Sequence, residues 1–420
     1  MRLPHVVEIE QRLYARRVGD IAEAVGHAWG ASGAAGRVRR GDRVGITVGS
    51  RGIDKLPAMV RAVVHLIKEA GGKPFILPAM GSHGGATPQG QAALLRELGI
   101  AAQSVGAPVR ASMAAAAVGK TSKGVPVYAS REALNADGLV VMNRVKQHTD
   151  YVGEYESGLV KMLAIGVGKR YGAAAMHSRG CASLREDIPE AAAIVLRRLP
   201  VVCGLAILEN GYHEAADIVG IRPDDILERE KSLLRRARRT APRLPFRDID
   251  LLLVDWIGKD ISGVAFDTHV IARRMIWGEP EFRGTRIRVI GALDLTPGSR
   301  GNALGMGLAD LVTERLVQKI DWEALKANVL HTGFLNRAKL PIALPDDREL
   351  VGAAMVALGG PDPRRVRMVR IADTLRLSRM WISEGLVPEA RRHARVNIVG
   401  HPSAMSFDRR GNLPPMERGG

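Results

Sequence analysis

Short apolar runs alternate along the chain with longer segments in which apolar positions recur at helical spacing. Between the first two runs, the segment LPAMVRAVVHLIKEAGG has this helical spacing and ends at Gly71 and Gly72. The alternation predicts an α/β fold with mainly parallel sheets. The predicted strands are Arg43–Val48, Pro74–Pro78, Gly138–Asn143, Val201–Leu208, Ile249–Asp255, Ile287–Ala292, Val366–Ile371 and Val396–Val399.

A basic segment with two prolines (ILEREKSLLRRARRTAPRLPFRD) interrupts this alternation and ends near Asp248. It predicts two α/β domains, residues 1–245 and 246–420, with an active-site cleft between them. We interpret Arg235–Arg239 as the solvated end of a helix, because no aromatic residues interleave for base stacking. The tail from His401 onward is predicted to be loop or a frayed terminus.

The unusual feature of the composition is its charge. Lys and Arg number 61 against 44 Asp and Glu, which gives a formal net charge of +17. Such an excess points to nucleic acid, membrane surfaces or small anions as partners. Aromatic residues amount to only 4%, and no motif for nucleic acid is present. No apolar stretch approaches the roughly 18 residues of a membrane helix.

Two features bear on the cellular compartment. Cys181 and Cys203 are too few for a disulfide framework and fit a reducing compartment. The first twenty residues lack the apolar segment of a signal peptide. We therefore expect a cytoplasmic protein that binds neither nucleic acid nor membranes.

Polar side chains follow the first two predicted strands, where ligands bind in parallel α/β sheets. Ser50 and Arg51 follow the first strand, and the Arg51 guanidinium is a planar fork suited to a carboxylate or phosphate. His83 lies in the glycine-rich turn GSHGG after the second strand, ahead of Thr87, a predicted helix N-cap. By position alone, each of these residues fits an ordinary surface loop about as well.

His148, Lys161 and His177 follow the third predicted strand. Lys161 lies in an apolar run (GLVKMLAIGVG), where loss of hydration would lower its pKa and make the amine nucleophilic. The alternative is a lysine that extends from a core helix to solvent. His177 is a candidate metal ligand, although metal sites generally need several ligands.

The second half of the chain also carries polar groups after a predicted strand. A loop after Ile249–Asp255 is followed by Arg273 and Arg274 on a predicted helix. Together these groups predict a polar crevice in the second domain. The loop residues are Lys259, Asp260, Ser262, Asp267 and His269.

The order of these features resembles the nickel-dependent lactate racemase family over about residues 15–290. In that family an Arg follows the first strand, and a G-x-H turn with a later Thr follows the second. A His, a Lys and a second His come next, and the second His lies sixteen residues after the Lys. The matching residues here are Arg51, Gly81, His83, Thr87, His148, Lys161 and His177, with sixteen residues from Lys161 to His177.

The resemblance implies a racemase or epimerase of a 2-hydroxy acid that depends on a nickel-pincer nucleotide. It implies that Lys161 attaches this cofactor covalently, that Ser50 binds it, and that His177 ligates the nickel. Proteins that synthesise the cofactor would then be partners.

The resemblance also implies how the substrate is handled. His83 and His148 would be the acid/base pair, on the two sides of a planar keto acid. Arg51 would bind the substrate carboxylate, and Arg273 or Arg274 would supply a further cation from the second domain.

The interval between His148 and Lys161 is longer here than in that family. It carries Asp150, Glu154 and Glu156, which suggest a larger polar substrate such as a sugar acid. An alternative function is a binding module, a cofactor-free homologue that senses a small anionic metabolite.

Overall fold

The structure, a computed structural model, describes residues 2–417 and forms two compact units. The N-terminal unit is Ala15–Ala241, and the C-terminal unit is Met1–Tyr14 together with Pro242–Gly420. The predicted division into 1–245 and 246–420 differs from this at the start of the chain. The first strand belongs to the C-terminal unit, because it pairs with strands from the other end of the chain. Local periodicity carries no information about such a distant pairing.

All eight predicted strands are present, seven of them within about three residues of their predicted ends, while the last extends five residues beyond the predicted Val399. The described residues contain seven further strands that the apolar pattern did not predict. The strands are β1 (His5–Gln11), β2 (Arg43–Val48), β3 (Lys73–Pro78), β4 (Ala115–Lys120), β5 (Pro126–Ser130), β6 (Gly138–Arg144), β7 (Val201–Glu209), β8 (Ala215–Ile221), β9 (Asp248–Ile257), β10 (Arg286–Leu295), β11 (Leu311–Thr313), β12 (Ile342–Leu344), β13 (Met368–Ile371), β14 (Arg379–Ser383) and β15 (Val396–Ala404).

Helices cover both sheets, and a π-helical turn at Met162–Gly166 follows α6 directly. The α-helices are α1 (Ile21–Ala31), α2 (Leu56–Glu69), α3 (Pro88–Glu97), α4 (Ala102–Val105), α5 (Arg131–Leu134), α6 (Leu159–Lys161), α7 (Lys169–His177), α8 (Gly180–Arg198), α9 (Ile226–Thr240), α10 (Glu314–Val317), α11 (Trp322–Thr332), α12 (Asp347–Ala357) and α13 (Val387–Arg392).

The N-terminal unit is built on a five-stranded sheet with the order β3-β2-β6-β7-β8. Its first four strands are parallel, and β8 returns antiparallel to β7. Ile46 of β2 lies in register with Ile76 of β3 and Val140 of β6, and all three are fully buried. Helices α1 and α2 pack on one face, where Trp29 and Val63 join this core.

The C-terminal unit is built on an eight-stranded sheet with the order β12-β11-β10-β9-β13-β14-β1-β15. Strands β9 to β13 are parallel, whereas β14, β1 and β15 are antiparallel to their neighbours. Apolar clusters cover both faces, as expected for parallel strands buried on two sides. Together the two sheets confirm the predicted α/β class with mainly parallel pairing.

The C-terminal tail is more ordered than predicted. Residues 401–404 continue β15, which pairs with β1. Farther on, the backbone N–H of Leu413 donates to Asp347 at 2.8 Å, and that of Met416 donates to Asp255 at 2.8 Å. Residues 405–417 are loop, which was one of the two predicted alternatives, and they are not frayed because these buried carboxylates bind their backbone.

Candidate functional site

Loops at one edge of the N-terminal sheet carry the predicted site residues of this unit. Strands β3, β2 and β6 are parallel neighbours, so the loops that leave their carboxyl ends lie at the same edge. Ser50 and Arg51 follow β2, and His83 follows β3. The loop after β6 holds His148 and leads into α6, which ends at Lys161. The topology therefore gathers segments that are far apart in sequence.

Ser50 and His83 are hydrogen-bonded across the loops that follow β2 and β3, through the Ser50 hydroxyl and Nδ1 of His83. Gln91 holds the His83 turn from α3, because its Nε2 donates to the carbonyl oxygens of Gly81 (3.1 Å) and His83 (3.4 Å). The imidazole of His83 is thus oriented through one ring nitrogen, and the residue remains exposed. Sequence analysis assigned Ser50 to cofactor binding and did not identify this contact.

The glycine-rich turn is fitted closely against α3. Gly84 has a φ of +68°, and a Cβ on it would lie 2.6 Å from the carbonyl carbon of Gly90, so only glycine fits there. Lys169 supports the same region with its ammonium group, which donates to the carbonyl oxygen of Pro78 and to Gln91. Loss of hydration lowers the pKa of Lys169 to about 8. This second buried lysine supports the His83 turn.

His148 and Lys161 are in direct contact, with Nζ of Lys161 hydrogen-bonded to Nε2 of His148. His148 is only 8% exposed. The pKa of His148 lies well below 6.5. Loss of hydration is the larger cause, and the nearby charge of Lys161 is the second. Loss of hydration also lowers the pKa of Lys161 to about 8, and the charge of Asp150 partly opposes this shift. The shifts favour the uncharged forms of both groups.

The hydrogen bonds of the His148 ring define the direction of its contact with Lys161. The backbone N–H of Asp150 donates to Nδ1 at 3.1 Å, so Nδ1 carries the lone pair of the neutral ring. The ring proton is then on Nε2, which faces Nζ of Lys161. Only an uncharged amine can accept that proton. The contact therefore fits Lys161 in its neutral, nucleophilic form.

Glu156 anchors the loop that carries His148. Its buried carboxylate accepts the backbone N–H of His148 at 2.6 Å and that of Gly153 at 3.3 Å. Arg238 of α9 forms an ion pair with Glu156 and donates to the carbonyl oxygen of Gly153 at 2.6 Å. The prediction that Arg238 belongs to a solvated helix end is therefore wrong, whereas its neighbour Arg239 is exposed.

The other acids of this loop also have partners in the protein. The exposed carboxylate of Glu154 lies 3.4 Å from the amine of Lys231. The carboxylate of Asp150 lies 3.8 Å from Nδ1 of His148. Glu156 is buried against Arg238 and supports the loop, and a larger polar substrate stays a prediction.

His177 ends α7, and its ring is oriented by its own helix. Nδ1 donates to the carbonyl oxygen of Ala173 at 2.7 Å, which leaves the ring lone pair on Nε2. The charge of His177 contributes to the lowered pKa of His148, so the two imidazoles lie within electrostatic reach. Within residues 2–417, no group of three His, Cys, Asp or Glu side chains could hold a metal. Among these residues the predicted nickel site has no preformed cluster of protein ligands, and His177 stays its predicted ligand.

Two cations lie near Lys161, in addition to the carboxylates of Asp150 and Glu156. Arg51 and Lys146 both lower the pKa of Lys161 through their charges, so both lie near its amine. The pKa of Arg51 is lowered by two causes, of which loss of hydration beside its neighbours is the larger and the charge of Arg144 the smaller. The residue as a whole is nevertheless exposed. Arg144 is paired with Glu209 at 2.5 Å. This arrangement suits an anionic ligand at the sheet edge.

Arg273 and Arg274 lie in the C-terminal unit and outside the helices, so the helix predicted for them was wrong. Their segment turns instead, with a φ of +51° at Met275. Arg273 is paired with Asp310 at 2.8 Å. Arg274 is 2% exposed and lies 3.5 Å from the carboxylate of Glu279. Binding of a substrate by either guanidinium would need these pairs to open.

The C-terminal unit has a cavity of about 460 Å³. Its charged lining is already paired, because Arg370 binds Asp255 with two hydrogen bonds (2.7 and 2.8 Å) and Arg315 lies 2.7 Å from Asp347. The tail around Leu413 also lines it. None of the six site residues predicted in the N-terminal unit lies there.

Two residues that hold the site, Gln91 and Glu230, were missed from the sequence, and Glu156 was associated with the substrate instead of the support of the His148 loop. A signal for Glu230 does exist in the sequence. On α9 it occupies a buried position together with Ile226 and Leu233, where the helical period calls for an apolar side chain. An acid at such a position indicates a buried carboxylate with a specific partner.

Comparison with known proteins gives one family match. Residues 48–226 match the family described as "Domain of unknown function (DUF362)", and this range lies within the N-terminal unit. No curated protein matches the chain. Among solved structures, the chain is similar to the lactate racemase apoprotein from Thermoanaerobacterium thermosaccharolyticum. That likeness has a TM-score of 0.44 and 12% sequence identity, and it covers 69% of this chain and 74% of that chain.

No helix within residues 2–417 is both long enough and apolar enough to cross a membrane.

Proposed function

We propose that the protein is a racemase or epimerase of a 2-hydroxy acid that works with a covalently bound nickel-pincer nucleotide. The observation that carries the proposal is the contact between Lys161 and His148. It places a nucleophilic amine beside a neutral imidazole at the carboxyl edge of a parallel sheet, the usual position of α/β active sites. The sequence resemblance supplies the reaction, and the contacts of these side chains support it.

The residues at this edge suit such a cofactor. The amine of Lys161, with its pKa lowered to about 8, is suited to forming a covalent bond with an acyl group. The lone pair on Nε2 of His177 is suited to a metal, because Nδ1 is held by the carbonyl oxygen of Ala173. Lys146 is suited to a nucleotide phosphate. Lys161 would hold the cofactor and His177 would hold its nickel, with Ser50 on the adjoining loop.

When bound, the cofactor supplies a group that takes a hydride from C2 of the substrate and returns it. The protein's own residues then handle the hydroxyl proton. His148 is neutral because its pKa lies well below 6.5, and to accept the hydroxyl proton its Nδ1 would have to release the backbone N–H of Asp150. His83, oriented by Ser50, is the second acid/base group. Inversion at C2 needs two such groups, one for each face of the planar intermediate.

Arg51 is the residue we assign to the substrate carboxylate. It is exposed at the same edge as His83 and Lys161, and its planar guanidinium can bind both carboxylate oxygens. Holding the carboxylate leaves only C2 free to change configuration. The roles predicted for Arg273 and Arg274 stay predictions, as does a cleft between the domains.

A cofactor-free binding module is the second candidate function. It is favoured by the positive charge of Arg51, Arg144 and Lys146 at one sheet edge. In this case Lys161 would remain unmodified, and a carboxylate or phosphate would bind without reacting. Binding of lactate or phosphate that stabilises the apoprotein, together with no turnover by any preparation, would favour this candidate.

Turnover of 2-hydroxy acids distinguishes the proposed racemase or epimerase from the cofactor-free binding module. The protein is produced together with cofactor-synthesis proteins and incubated with single enantiomers of 2-hydroxy acids deuterated at C2, from lactate to sugar acids. Chiral chromatography should show the antipode or epimer with the deuterium retained, since hydride leaves and returns at one carbon. Lys161→Arg and His177→Ala should abolish conversion, and the exposed Lys120→Arg should not. No conversion by protein that carries the cofactor would overturn the proposal.

A further inference from the structure

Glu230 lies on the buried face of α9 and is fully excluded from solvent. Its Oε2 accepts the backbone N–H of Val160 at 3.0 Å, across 70 residues of sequence. The backbone amide of Leu159 stabilises the same carboxylate. These two amides begin α6, the short helix that ends at Lys161. A side chain of α9 therefore caps the helix that carries the reactive lysine.

The turn before Lys161 is shaped to admit this carboxylate. A Cβ on Gly158 would lie 2.3 Å from Oε1 of Glu230, so the close approach requires glycine at that position. The carbonyl oxygen of Gly158 accepts a hydrogen bond from the Asn143 side chain at 2.8 Å. The turn is thus tied to β6 by Asn143 and to α9 by Glu230.

Helix α6 needs such an external partner. It spans only Leu159–Lys161, and the first amides of any helix have no acceptor within the helix itself. The π-helical turn at Met162–Gly166 continues α6 at its other end, so the groups that bind these first amides must come from outside the helix. The direction of Lys161 is therefore set by what binds the start of α6.

We infer that Glu230 is a positioning residue for Lys161, because its carboxylate binds the amides of α6 and so directs the lysine side chain toward His148. This inference rests on the proposed use of Lys161 as the attachment residue. Glu230 itself lies behind the helix and acts through the backbone of Val160.

The energetic cost of this carboxylate supports a specific role. Burial raises the pKa of Glu230 to about 7. Its Oε1 makes no hydrogen bond to any of residues 2–417. An apolar side chain at this position would avoid both penalties, since its neighbours on α9 are Ile226 and Leu233. The buried acid therefore destabilises the fold relative to an apolar side chain, and its contribution is a hydrogen-bond acceptor for α6.

Three substitutions separate positioning from folding. Glu230→Gln keeps an acceptor oxygen of the same reach, whereas Glu230→Leu fills similar space without an acceptor. Asp187→Asn is the matched control, because Asp187 is a carboxylate of the same unit that is 1% exposed and bonded to Arg179. The probe is acetic anhydride, which acetylates unprotonated amines and releases acetate. Site-resolved mass spectrometry gives the rate at Lys161 relative to that at Lys120 in the apoprotein.

Glu230→Leu should lower the relative rate at Lys161 by about ten-fold, because a displaced lysine loses the contact with His148 and the buried surroundings that favour its unprotonated form. Glu230→Gln should stay within about two-fold of wild type, and Asp187→Asn should leave the ratio unchanged even if it is less stable. An unchanged ratio in Glu230→Leu overturns the inference. If that variant does not fold, Glu230→Asp replaces it, because its shorter side chain moves the acceptor away by one carbon. An unchanged acetylation ratio in Glu230→Asp would then overturn the inference.

This experiment distinguishes the inference from the proposed function, because it needs no cofactor. An altered ratio in Glu230→Leu together with no adduct on wild-type Lys161 would contradict the function and leave the positioning role standing. An unchanged ratio with a normal adduct would contradict only the positioning role.

Discussion

Lys161 and His148 share one hydrogen bond, and its direction is set by a backbone amide. Because the N–H of Asp150 donates to Nδ1 of His148, the ring proton is on Nε2 and the lysine nitrogen is the acceptor. A lysine ammonium has no lone pair and could not fill that role. The arrangement therefore couples the neutral form of the imidazole to the reactive form of the amine.

The first prediction concerns the pH dependence of Lys161. Acetylation of this amine in the apoprotein should rise with pH through a midpoint near 8, because loss of hydration disfavours its charged form. The measurement is site-resolved mass spectrometry between about pH 6 and 11, with the exposed Lys120 as internal reference. A midpoint near 10.4, the value of a hydrated lysine, would contradict the account.

The second prediction concerns the cost of holding Lys161 with little water around it. Lys161 has a lower pKa in the folded state than in the unfolded state, so deprotonation of this amine favours folding. Its contribution to the free energy of unfolding is fully present above about pH 10.4, and it is lost as the pH falls through about 8. At pH 7, Lys161→Met should therefore raise the free energy of unfolding by roughly 1–3 kcal/mol.

Urea denaturation checks this second prediction at two pH values. The gain from Lys161→Met should shrink toward zero only above about pH 11, since the folded and unfolded lysine are then both largely unprotonated. Lys120→Met is the control, and its effect should stay within about 0.5 kcal/mol. A gain that is the same at both pH values would assign the effect to packing instead.

The third prediction separates two neighbouring arginines of α9. Arg238→Ala removes the partner of the buried Glu156 carboxylate, which should cost about 3–5 kcal/mol of unfolding free energy. Arg239→Ala, at an exposed position on the same helix, should change it by no more than about 0.5 kcal/mol. Denaturation of both variants at pH 7 is the test, and equal losses would show that Arg238 is as solvated as its neighbour.

The fourth prediction concerns the anion site. Arg51→Gln should raise the KM for a 2-hydroxy acid, or the Kd in the absence of turnover, by about ten-fold or more through loss of a charged pair. Stability should hardly change because Arg51 is exposed. Arg39→Gln, also exposed in the same unit, is the control for net charge. An equal effect of both substitutions would mean that overall charge, rather than Arg51, attracts the anion.

The apolar pattern predicted the strands that lie inside the sheets. Parallel strands such as β2 and β6 are buried on both faces, so they form continuous apolar runs in the sequence. Strands β1 and β4 were missed, because β1 carries two glutamates and β4 is a run of small residues. The pairing of β1 with β14 depends on residues from opposite ends of the chain.

The candidate site was predicted only in part for a related reason. The positions of Ser50 and His83 follow from the ends of parallel strands, which local sequence reveals. The contacts that α9 makes with the site cannot be predicted in this way, because Glu230 is 70 residues from Val160 and Arg238 is 82 residues from Glu156. Such contacts depend on how a distant helix packs, and apolar periodicity carries no information about it.

The central claim is that Lys161 carries the cofactor, and intact-mass spectrometry tests it most directly. Protein produced together with cofactor-synthesis proteins should show one added mass that peptide mapping places on Lys161. Lys161→Arg should lack it, and Lys120→Arg should retain it. Unmodified Lys161 in wild-type protein, under conditions in which the cofactor is made, would contradict the account.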